Sequence, residues 1–216
     1  MHDTLENRQA IIDACIEMNA TGLNQGTAGN ISLRCGDGML VTPSGIAYDQ
    51  MKPEDIVYVS ANGEYGQNQV PSSEWRFHLA SYETRPDANA VVHNHAINAT
   101  CVSILNRPIP AIHYMVAVAG GYDIPVVDYA TYGTQELSDL VAGGLKDRAA
   151  ILLRHHGMIA TGETLAKAMW LANEVEALAK MYLNLLQVTD TPPLLSHDQI
   201  DTVLEKIKGY GLREKA

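Results

Sequence analysis

Two periods of hydrophobic spacing follow one another along the chain. Six segments carry apolar residues three or four positions apart, which predicts amphipathic helices. Between them lie short apolar runs bounded by glycine, proline or asparagine, which predict strands joined by tight turns. The predicted helices span about 5–21, 75–82, 97–105, 134–145, 164–188 and 196–210, and the predicted strands span 31–34, 39–42, 56–59, 91–95, 124–127 and 149–153.

This order of elements limits the fold class. Several strands follow one another through tight turns, which favours antiparallel pairing, and the amphipathic helices must cover the faces of the resulting sheet. A chain of 216 residues is long enough to bury one substantial core. We therefore expect an α/β fold, a single domain over residues 1–216 with three layers, in which helices flank a largely antiparallel central sheet.

Composition excludes several classes of partner. The formal charge of −10 argues against general nucleic-acid binding and leaves any anionic substrate to be held by local dipoles. No apolar run reaches the length of a membrane span, and the N-terminus lacks a basic and then apolar signal pattern. Cys15, Cys35 and Cys101 are scattered, which is typical of reduced thiols. We expect a cytoplasmic protein with no nucleic-acid or membrane partner.

A His-x-His motif ends the fourth predicted strand. Side chains alternate between the faces of a strand, so His93 and His95 are predicted to face the same side. Such a pair alone is more often two ordinary histidines than a metal site, and Glu74 at a helix start alone indicates a dipole interaction. A further imidazole, at His155 or His156, changes this balance. Three histidines and one glutamate predict a four-ligand site for a borderline metal such as zinc.

Three short turns carry small or hydroxyl residues. Each alone is most simply a turn, but together they can bind a phosphate group, because glycine exposes backbone N–H groups and hydroxyl and amide side chains add donors. One of the turns also begins a predicted helix, whose dipole favours an anion. No P-loop lysine pattern is present, which argues against a nucleotide. The residues of this predicted phosphate site are Gly29, Asn30, Ser44, Gly45, Ser72 and Ser73.

A metal beside a phosphate site, with Glu74 at the junction, indicates chemistry on a small phosphorylated sugar or ketone. A divalent ion polarises a carbonyl and stabilises an enediolate, and Glu74 can move the carbon-bound proton. Tyr114, after an extended run, and Tyr210, at a helix end, are available as a second acid. The sequence pattern alone selects neither tyrosine.

Five motifs together resemble those of the class II aldolase/adducin family, over essentially the whole chain. They are LNQGTAGN at 23–30, TPSG at 42–45, PSSEWRFH at 71–78, AVVHNH at 90–95 and HHG at 155–157. The resemblance implies that His93, His95 and His156 bind one zinc ion per subunit, although sites of this kind accept several divalent ions. It selects His156 over His155, and it implies that Glu74 is the fourth ligand of the empty site and then the acid/base.

The resemblance also implies a reaction and an assembly. The six turn residues would hold the substrate phosphate, Tyr114 would enter the site from a neighbouring subunit, and Tyr210 would close over it from the C-terminal tail. The implied assembly is a homotetramer with four-fold symmetry and sites between subunits. The implied reaction is reversible, zinc-dependent aldol cleavage of L-fuculose 1-phosphate to dihydroxyacetone phosphate and L-lactaldehyde through a metal-stabilised enediolate.

Three alternatives stay open. One is a sugar-phosphate 4-epimerase on the same scaffold, although such relatives carry Asp in place of Glu74. Another is a dehydratase of methylthioribulose phosphate. The third is a non-enzymatic interaction module like the head of adducin, which lacks the metal constellation. A metal assay combined with an aldol-cleavage assay separates all of these.

Overall fold

Helices and strands are mixed along the chain, and the predicted α/β class is confirmed. The structure is a computed structural model that describes residues 1–207. Within this range the helices are α1 Leu5–Thr21, α2 Trp75–Thr84, α3 Ile97–Ile104, α4 Gln135–Leu145, α5 Leu165–Leu186 and α6 His197–Ile207, and the strands are β1 Asn30–Cys35, β2 Gly38–Val41, β3 Val57–Val59, β4 Ala90–Asn94, β5 Val126–Val127, β6 Ala150–Leu153 and β7 Gly157–Gly162.

The seven strands of this range form one sheet in the order β3-β2-β1-β4-β7-β6-β5. Every neighbouring pair is antiparallel except β5 and β6, which are parallel. The prediction of a largely antiparallel central sheet is therefore confirmed, with one parallel pair at its edge. Strand β4 is buried along its whole length because helices cover both faces of the sheet.

Two apolar clusters lie on opposite faces of the sheet and define the layers. On one face, α2 and α4 pack against the strands through residues such as Phe77, Leu137 and Val141. On the other face, α1, α3 and α5 cover the sheet, with Ile11 and Val175 in the core. Residues that alternate along a strand therefore contact different helical layers, as the period of two requires.

Local signals set most of the helix boundaries. The side chains of Thr4, Thr134 and Thr164 each accept a hydrogen bond from a backbone N–H in the first turn of α1, α4 and α5. The sequence did not predict β7 or the 3₁₀ helix Tyr114–Ala119, which begins where the predicted extended run ends. None of the helices within 1–207 combines the length and apolar character that a bilayer crossing requires.

Strand register brings three distant segments to one edge of the sheet. Asn30 at the start of β1 pairs with His93 near the end of β4, and Asn94 at the end of β4 pairs with Met158 at the start of β7. The turn before β1, the chain after β4 and the hairpin before β7 therefore meet there. The candidate site lies at this edge.

Candidate metal centre and active site

Three imidazoles form a compact triangle at this edge. The ring centroids of His93, His95 and His156 are 4.8 to 5.0 Å apart, and the rings stand edge to face. Their possible ligand nitrogens all lie within 4.8 Å of one another. The strand β4 ends at Asn94, so His95 lies one residue beyond it. Its Nε2 is nevertheless only 3.1 Å from Nε2 of His93, so the two rings share one side.

Glu74 completes the cluster from the other side. It occupies the N-cap position of α2, but its side chain makes no capping hydrogen bond. The carboxylate is buried instead, with Oε2 3.3 Å from Nε2 of His93 and Oε1 3.2 Å from Nε2 of His156. Oε2 accepts a hydrogen bond from Nδ2 of Asn30 at 2.9 Å, whereas Oε1 has no hydrogen-bond partner within residues 1–207.

The protonation states suit a cation. Burial lowers the pKa of His93 to about 3 and also lowers the pKa of His95, so both rings are neutral near pH 7. Nδ1 of His93 lies 2.9 Å from the carbonyl oxygen of Met158, which can only accept, so this nitrogen carries the proton. The lone pair of Nε2 therefore points into the cluster.

The pKa of Glu74 is lowered although the group is buried. Burial alone would raise this pKa, but His93, His156 and the hydrogen bond from Asn30 outweigh burial and lower it to about 2. The carboxylate is therefore ionised where it faces the histidines. A metal ligand must be deprotonated in this way.

The donor set fits a divalent ion. Ligand atoms at about 2.0–2.1 Å from a tetrahedral zinc ion lie about 3.3 Å from each other, and the contacts of 3.1, 3.3 and 3.2 Å within the cluster are close to that value. The lone pair of His93 Nε2 lies 3.3 Å from the Glu74 carboxylate, a contact that is unfavourable unless a cation lies between them. The four side chains can therefore hold a metal, and their chemistry, three nitrogens and one oxygen, is that of zinc sites.

Two glycines let the segments approach closely enough to build the cluster. A Cβ atom on Gly29 would lie 2.7 Å from the carbonyl oxygen of His93, and one on Gly157 would lie 2.3 Å from that of Asn94. Any side chain at either position would push the turn away from β4.

The residue before His156 has an unusual backbone. His155 adopts a left-handed backbone with φ of 55°, a conformation that costs a non-glycine residue about 1–3 kcal/mol. This conformation lies within the tight hairpin that carries His156 to the site.

The structure brings the three predicted phosphate turns together. The backbone N–H of Ser72 donates to the carbonyl of Thr42, that of Ser44 donates to Val70, and Pro43 and Pro71 form a β-bridge. The N–H of Thr42 donates in turn to Ile31, next to Asn30. Ser44, Gly45 and Ser73 are exposed, whereas Gly29, Asn30 and Ser72 are buried.

Of the two predicted tyrosines, Tyr114 lies outside this arrangement. Tyr114 begins the 3₁₀ helix Tyr114–Ala119 and is 46% exposed. It does not line the cavity of about 360 Å³ that opens beside Glu74, as far as the described residues define that cavity. Tyr210 lies outside the described residues.

Several residues at the site were not selected from the sequence. The cavity is also lined by Tyr129, Tyr132 and His155, of which the two tyrosines lie in the loop after β5. The carbonyl oxygen of Ser73 would lie 2.9 Å from a Cβ atom on Gly133, so this loop closes against the phosphate turns. Two tyrosines three residues apart after a short strand are the only sequence signal of this wall.

A buried amide and a buried phenol hold the first turn against the histidines. Oδ1 of Asn24 accepts from the backbone N–H of His95 at 3.3 Å, and its Nδ2 donates to the Tyr48 hydroxyl at 3.3 Å. That hydroxyl donates to the carbonyl of Gly29 at 2.5 Å. The sequence places Asn24 in the 23–30 motif, but nothing in the pattern indicates Tyr48 as its partner.

Known proteins resemble this chain over nearly its whole length. It is 61% identical over 203 residues, 94% of either chain, to L-fuculose phosphate aldolase of Escherichia coli O6:H1 (strain CFT073). It is 51% identical over 205 residues, 95% of this chain and 96% of the relative, to 5-methylthioribulose-1-phosphate/5-deoxyribulose-1-phosphate aldolase of Escherichia coli O45:K1 (strain S88).

The fold and the family agree with these relatives. A solved structure of an L-fuculose 1-phosphate aldolase superposes with a TM-score of 0.90 at 38% identity and covers 95% of this chain and 97% of that one. The family described as Class II Aldolase and Adducin N-terminal domain matches residues 9–183. The chain therefore belongs to the class II aldolase and adducin family.

Proposed function

We propose that this chain catalyses the reversible, zinc-dependent aldol cleavage of L-fuculose 1-phosphate to dihydroxyacetone phosphate and L-lactaldehyde. The observation that carries the proposal is the convergence of three imidazoles on a buried, ionised glutamate beside three joined turns. The relative named L-fuculose phosphate aldolase, at 61% identity, supports the substrate.

His93, His95 and His156 would be the protein ligands of the metal. Neutral imidazoles suit zinc but also other borderline divalent ions, so zinc is part of the proposal. When bound, the ion supplies a Lewis acid that polarises a carbonyl oxygen. His93 is held for this role by its hydrogen bond to Met158, which fixes its tautomer.

Glu74 has two roles in this proposal. It would be the fourth ligand while no substrate is bound, and it would act as the acid/base once substrate is bound. In the cleavage direction, the carbon–carbon bond breaks, and the carbon left on the dihydroxyacetone phosphate half must then take up a proton. The carboxyl group of Glu74 would deliver that proton and remove it again in the synthesis direction.

The three turns would hold the substrate phosphate. Exposed hydroxyls at Ser44 and Ser73 and the backbone N–H groups around Gly45 offer donors to an anion. Ser72 and Ser73 directly precede α2, whose positive N-terminal end adds attraction. A phosphate at these turns would lie next to Glu74 and hence next to the metal, as a ketose 1-phosphate requires. Gly29 and Asn30 complete this predicted set.

The hydroxyl proton at the bond being cleaved would be handled by Tyr114 of a neighbouring subunit. The exposure of Tyr114 and its position away from the cavity support a site shared between chains. We infer a homotetramer with four-fold symmetry as the assembly, and Tyr210 remains the predicted closing residue.

Residues 1–216 are proposed to act as one domain. The free, scattered thiols support a cytoplasmic location.

A panel of ketose 1-phosphates tests the reaction. The zinc-loaded protein should release dihydroxyacetone phosphate from L-fuculose 1-phosphate with a higher kcat/KM than from the other members. Borohydride added with substrate should trap no lysine adduct, because the metal and not an imine stabilises the carbanion. Metal-independent cleavage, or a trapped lysine, would contradict the proposed mechanism.

The relative at 51% identity favours a second candidate, cleavage of 5-deoxyribulose 1-phosphate or its methylthio analogue. Both candidates release dihydroxyacetone phosphate and differ in the aldehyde. A higher kcat/KM on a 5-deoxyribulose 1-phosphate would select the second candidate. Epimer formation, dehydration, or metal binding without turnover would indicate the epimerase, dehydratase or interaction-module alternatives.

A further inference from the structure

Four buried polar side chains continue inward from Glu74 in a single hydrogen-bonded line. Asn30 Nδ2 lies 2.9 Å from Glu74 Oε2, and Asn30 Oδ1 lies 2.6 Å from His78 Nε2. His78 Nδ1 lies 2.7 Å from Ser32 Oγ, which lies 2.8 Å from the Tyr82 hydroxyl. The proposed reaction uses Glu74 and Asn30 but assigns no role to the three side chains behind them.

Two elements supply this line with regular spacing. Glu74, His78 and Tyr82 are four residues apart and lie along one side of α2. Asn30 and Ser32 are two residues apart in β1 and therefore face the same helical layer. The strand thus presents an amide and a hydroxyl to α2, while the intervening Ile31 belongs to the apolar cluster on the opposite face.

The chemistry of the groups fixes the direction of each hydrogen bond. Oδ1 of Asn30 can only accept, so Nε2 of His78 must carry the ring proton. Burial lowers the pKa of His78 to about 3, so the ring is neutral and its Nδ1 must accept. Ser32 therefore donates to Nδ1, and its oxygen in turn accepts from Tyr82. Every donor in the line points towards Glu74.

This direction determines which end of the Asn30 carboxamide faces Glu74. If the amide turned over, its Oδ1 would oppose the Glu74 carboxylate and its NH₂ would oppose the N–H of His78. Both contacts would be repulsive, and none of the four side chains is exposed enough for water to relieve them, since Asn30 is 5% exposed and His78 is 0% exposed. The orientation of the Asn30 amide and the tautomer of His78 are thus coupled, because an amide that donates to Glu74 requires the Nε2–H tautomer of His78.

Resting on the proposed function, we propose that His78, supported by Ser32 and Tyr82, is a positioning residue that orients the Asn30 carboxamide and through it the Glu74 carboxylate. The amide would hold Oε2 of Glu74 in place during turnover, so that the carboxyl group stays beside the carbon that exchanges its proton. His78, Ser32 and Tyr82 touch neither substrate nor metal in this scheme.

The primary test is exchange of the pro-chiral hydrogen of dihydroxyacetone phosphate with heavy water, without aldehyde, by the zinc-loaded protein. His78→Leu removes the ring donor, and we expect kcat for exchange to fall about 10- to 100-fold, the usual effect of losing such a supporting partner. The zinc content should stay at the wild-type value, and the KM for dihydroxyacetone phosphate should change less than kcat, although Asn30 also belongs to the proposed phosphate site. His78→Gln can still donate to Asn30 and should recover most of the loss.

A matched pair of serine variants keeps the test valid if His78→Leu does not fold. Ser32 and Ser81 are both buried, but Ser81 lies outside the line and donates to the backbone carbonyl of Phe77 within α2. Ser32→Ala should slow exchange severalfold, whereas Ser81→Ala should leave kcat unchanged. Equal losses in the two variants would indicate a general packing effect and would overturn the proposal.

A double-mutant cycle tests whether His78 acts through Asn30. In a chain that already carries Asn30→Ala, His78→Leu should cause little further loss of kcat, because the amide that it orients is absent. Additive losses would contradict the proposed route. A raised KM with unchanged kcat in His78→Leu would also overturn it, since the amide would then serve the phosphate and not Glu74.

A spectroscopic readout separates this inference from the proposed function. In protein labelled with ¹⁵N at histidine, the wild-type His78 ring should show a protonated Nε2 and an unprotonated Nδ1, and Ser32→Ala should shift this tautomer balance. If the wild-type protein fails to exchange dihydroxyacetone phosphate, the proposed function fails. If it exchanges normally and His78→Leu, Ser32→Ala and the tautomer all behave as in the wild type, only the positioning role fails.

Discussion

The two sides of the candidate site differ in how completely one chain builds them. On the metal side, the Glu74 carboxylate lies within 3.3 Å of both His93 and His156, and the three side chains are largely buried. On the side that would handle the hydroxyl proton, Tyr114 is 46% exposed and lies away from the cavity. Within residues 1–207, a single chain thus brings the candidate metal ligands together, the finished side, and leaves the proposed proton site, the unfinished side, without Tyr114.

The difference follows from what anchors each side chain. The histidines lie at or next to strand ends, where backbone pairing fixes their Cα positions. Tyr114 begins a six-residue 3₁₀ helix whose residues Met115, Val116, Ala117 and Ala119 are buried, which leaves the tyrosine on the outer side. Burial of the apolar residues therefore determines an outward Tyr114. On the proposal that Tyr114 acts across a subunit boundary, one chain should be able to bind the metal, whereas turnover should require a neighbour.

The largest expected effect is the loss of the metal. Chelation should reduce aldol cleavage to background, and one equivalent of zinc per chain should restore it. The adjacent histidines provide a matched pair. His156→Ala should lower zinc content sharply, whereas His155→Ala should keep it, because His156 Nε2 lies 3.2 Å from Glu74 and belongs to the cluster of possible ligands, to which His155 does not belong. Full activity after verified removal of the metal, or equal zinc loss in the two variants, would contradict a centre built from His156.

The next effect concerns the proton that Glu74 moves. Glu74→Gln keeps the shape of the side chain but cannot take up a proton, so kcat should fall about 10²- to 10⁴-fold. Zinc should largely remain, since three imidazoles are left. The variant should also fail to exchange the pro-chiral hydrogen of dihydroxyacetone phosphate. Wild-type exchange by zinc-loaded Glu74→Gln would show that another group is the base.

Tyr114→Phe tests the unfinished side directly. It should lower kcat about 10²-fold, as loss of a general acid does, with zinc content intact. In tetramers mixed equally from Tyr114→Phe and Glu74→Gln chains, about a quarter of the sites should combine both intact residues if the site is shared between neighbours. Activity should then rise well above that of either parent. The absence of recovery in verified mixed tetramers would contradict a shared site.

The sequence predicted the metal side better than the proton side, again because the histidines of the metal side lie at or next to strand ends. His93 and His95 are two residues apart on one predicted strand, and a period of two places such side chains together without knowledge of the rest of the fold. His156 could not be separated from His155 by spacing, because the choice depends on the left-handed φ of 55° at His155. Only the resemblance to a family selected it.

Other parts of the site depend on long-range packing that the sequence does not display. Strand β7 was not predicted, yet its pairing with β4 supplies the carbonyl of Met158 that fixes the tautomer of His93. The line from Glu74 to Tyr82 needs β1 and α2 to pack at one particular register. Its helical half follows a four-residue spacing, but nothing in the sequence indicates that Ser32 faces His78.

A smaller effect should follow from changing the phosphate turns. Ser44→Ala removes one exposed hydroxyl from the proposed phosphate site. Because a hydrogen bond to a charged group stabilises the bound phosphate, its loss should raise the KM for dihydroxyacetone phosphate about 10-fold. The kcat and the KM for the aldehyde should be unchanged, which provides an internal control. Unchanged affinity for both dihydroxyacetone phosphate and inorganic phosphate would mean that Ser44 does not bind the phosphate.

The last expected effect concerns stability and not turnover: it is a pH dependence of stability that belongs to the finished side alone. Burial lowers the pKa of His78 to about 3, whereas in the unfolded chain it is about 6.5. The unfolded state therefore binds one more proton between these values, so stability is lost as the pH falls from about 6.5 towards 3. This group should contribute a slope of about 1.4 kcal/mol per pH unit to the free energy of unfolding.

Urea unfolding of metal-free protein between about pH 7 and pH 5 measures this slope. His78→Gln should unfold with a shallower dependence on pH than the wild type, because glutamine takes up no proton. The hydrogen bonds that the substitution perturbs shift the whole stability curve, but they leave its slope unchanged. His93 and His95 are present in both proteins, so their protonation cancels in the comparison. Equal slopes would mean that the folded protein accepts the proton at His78, and the ring would then not be the neutral donor on which the orientation of Asn30 depends.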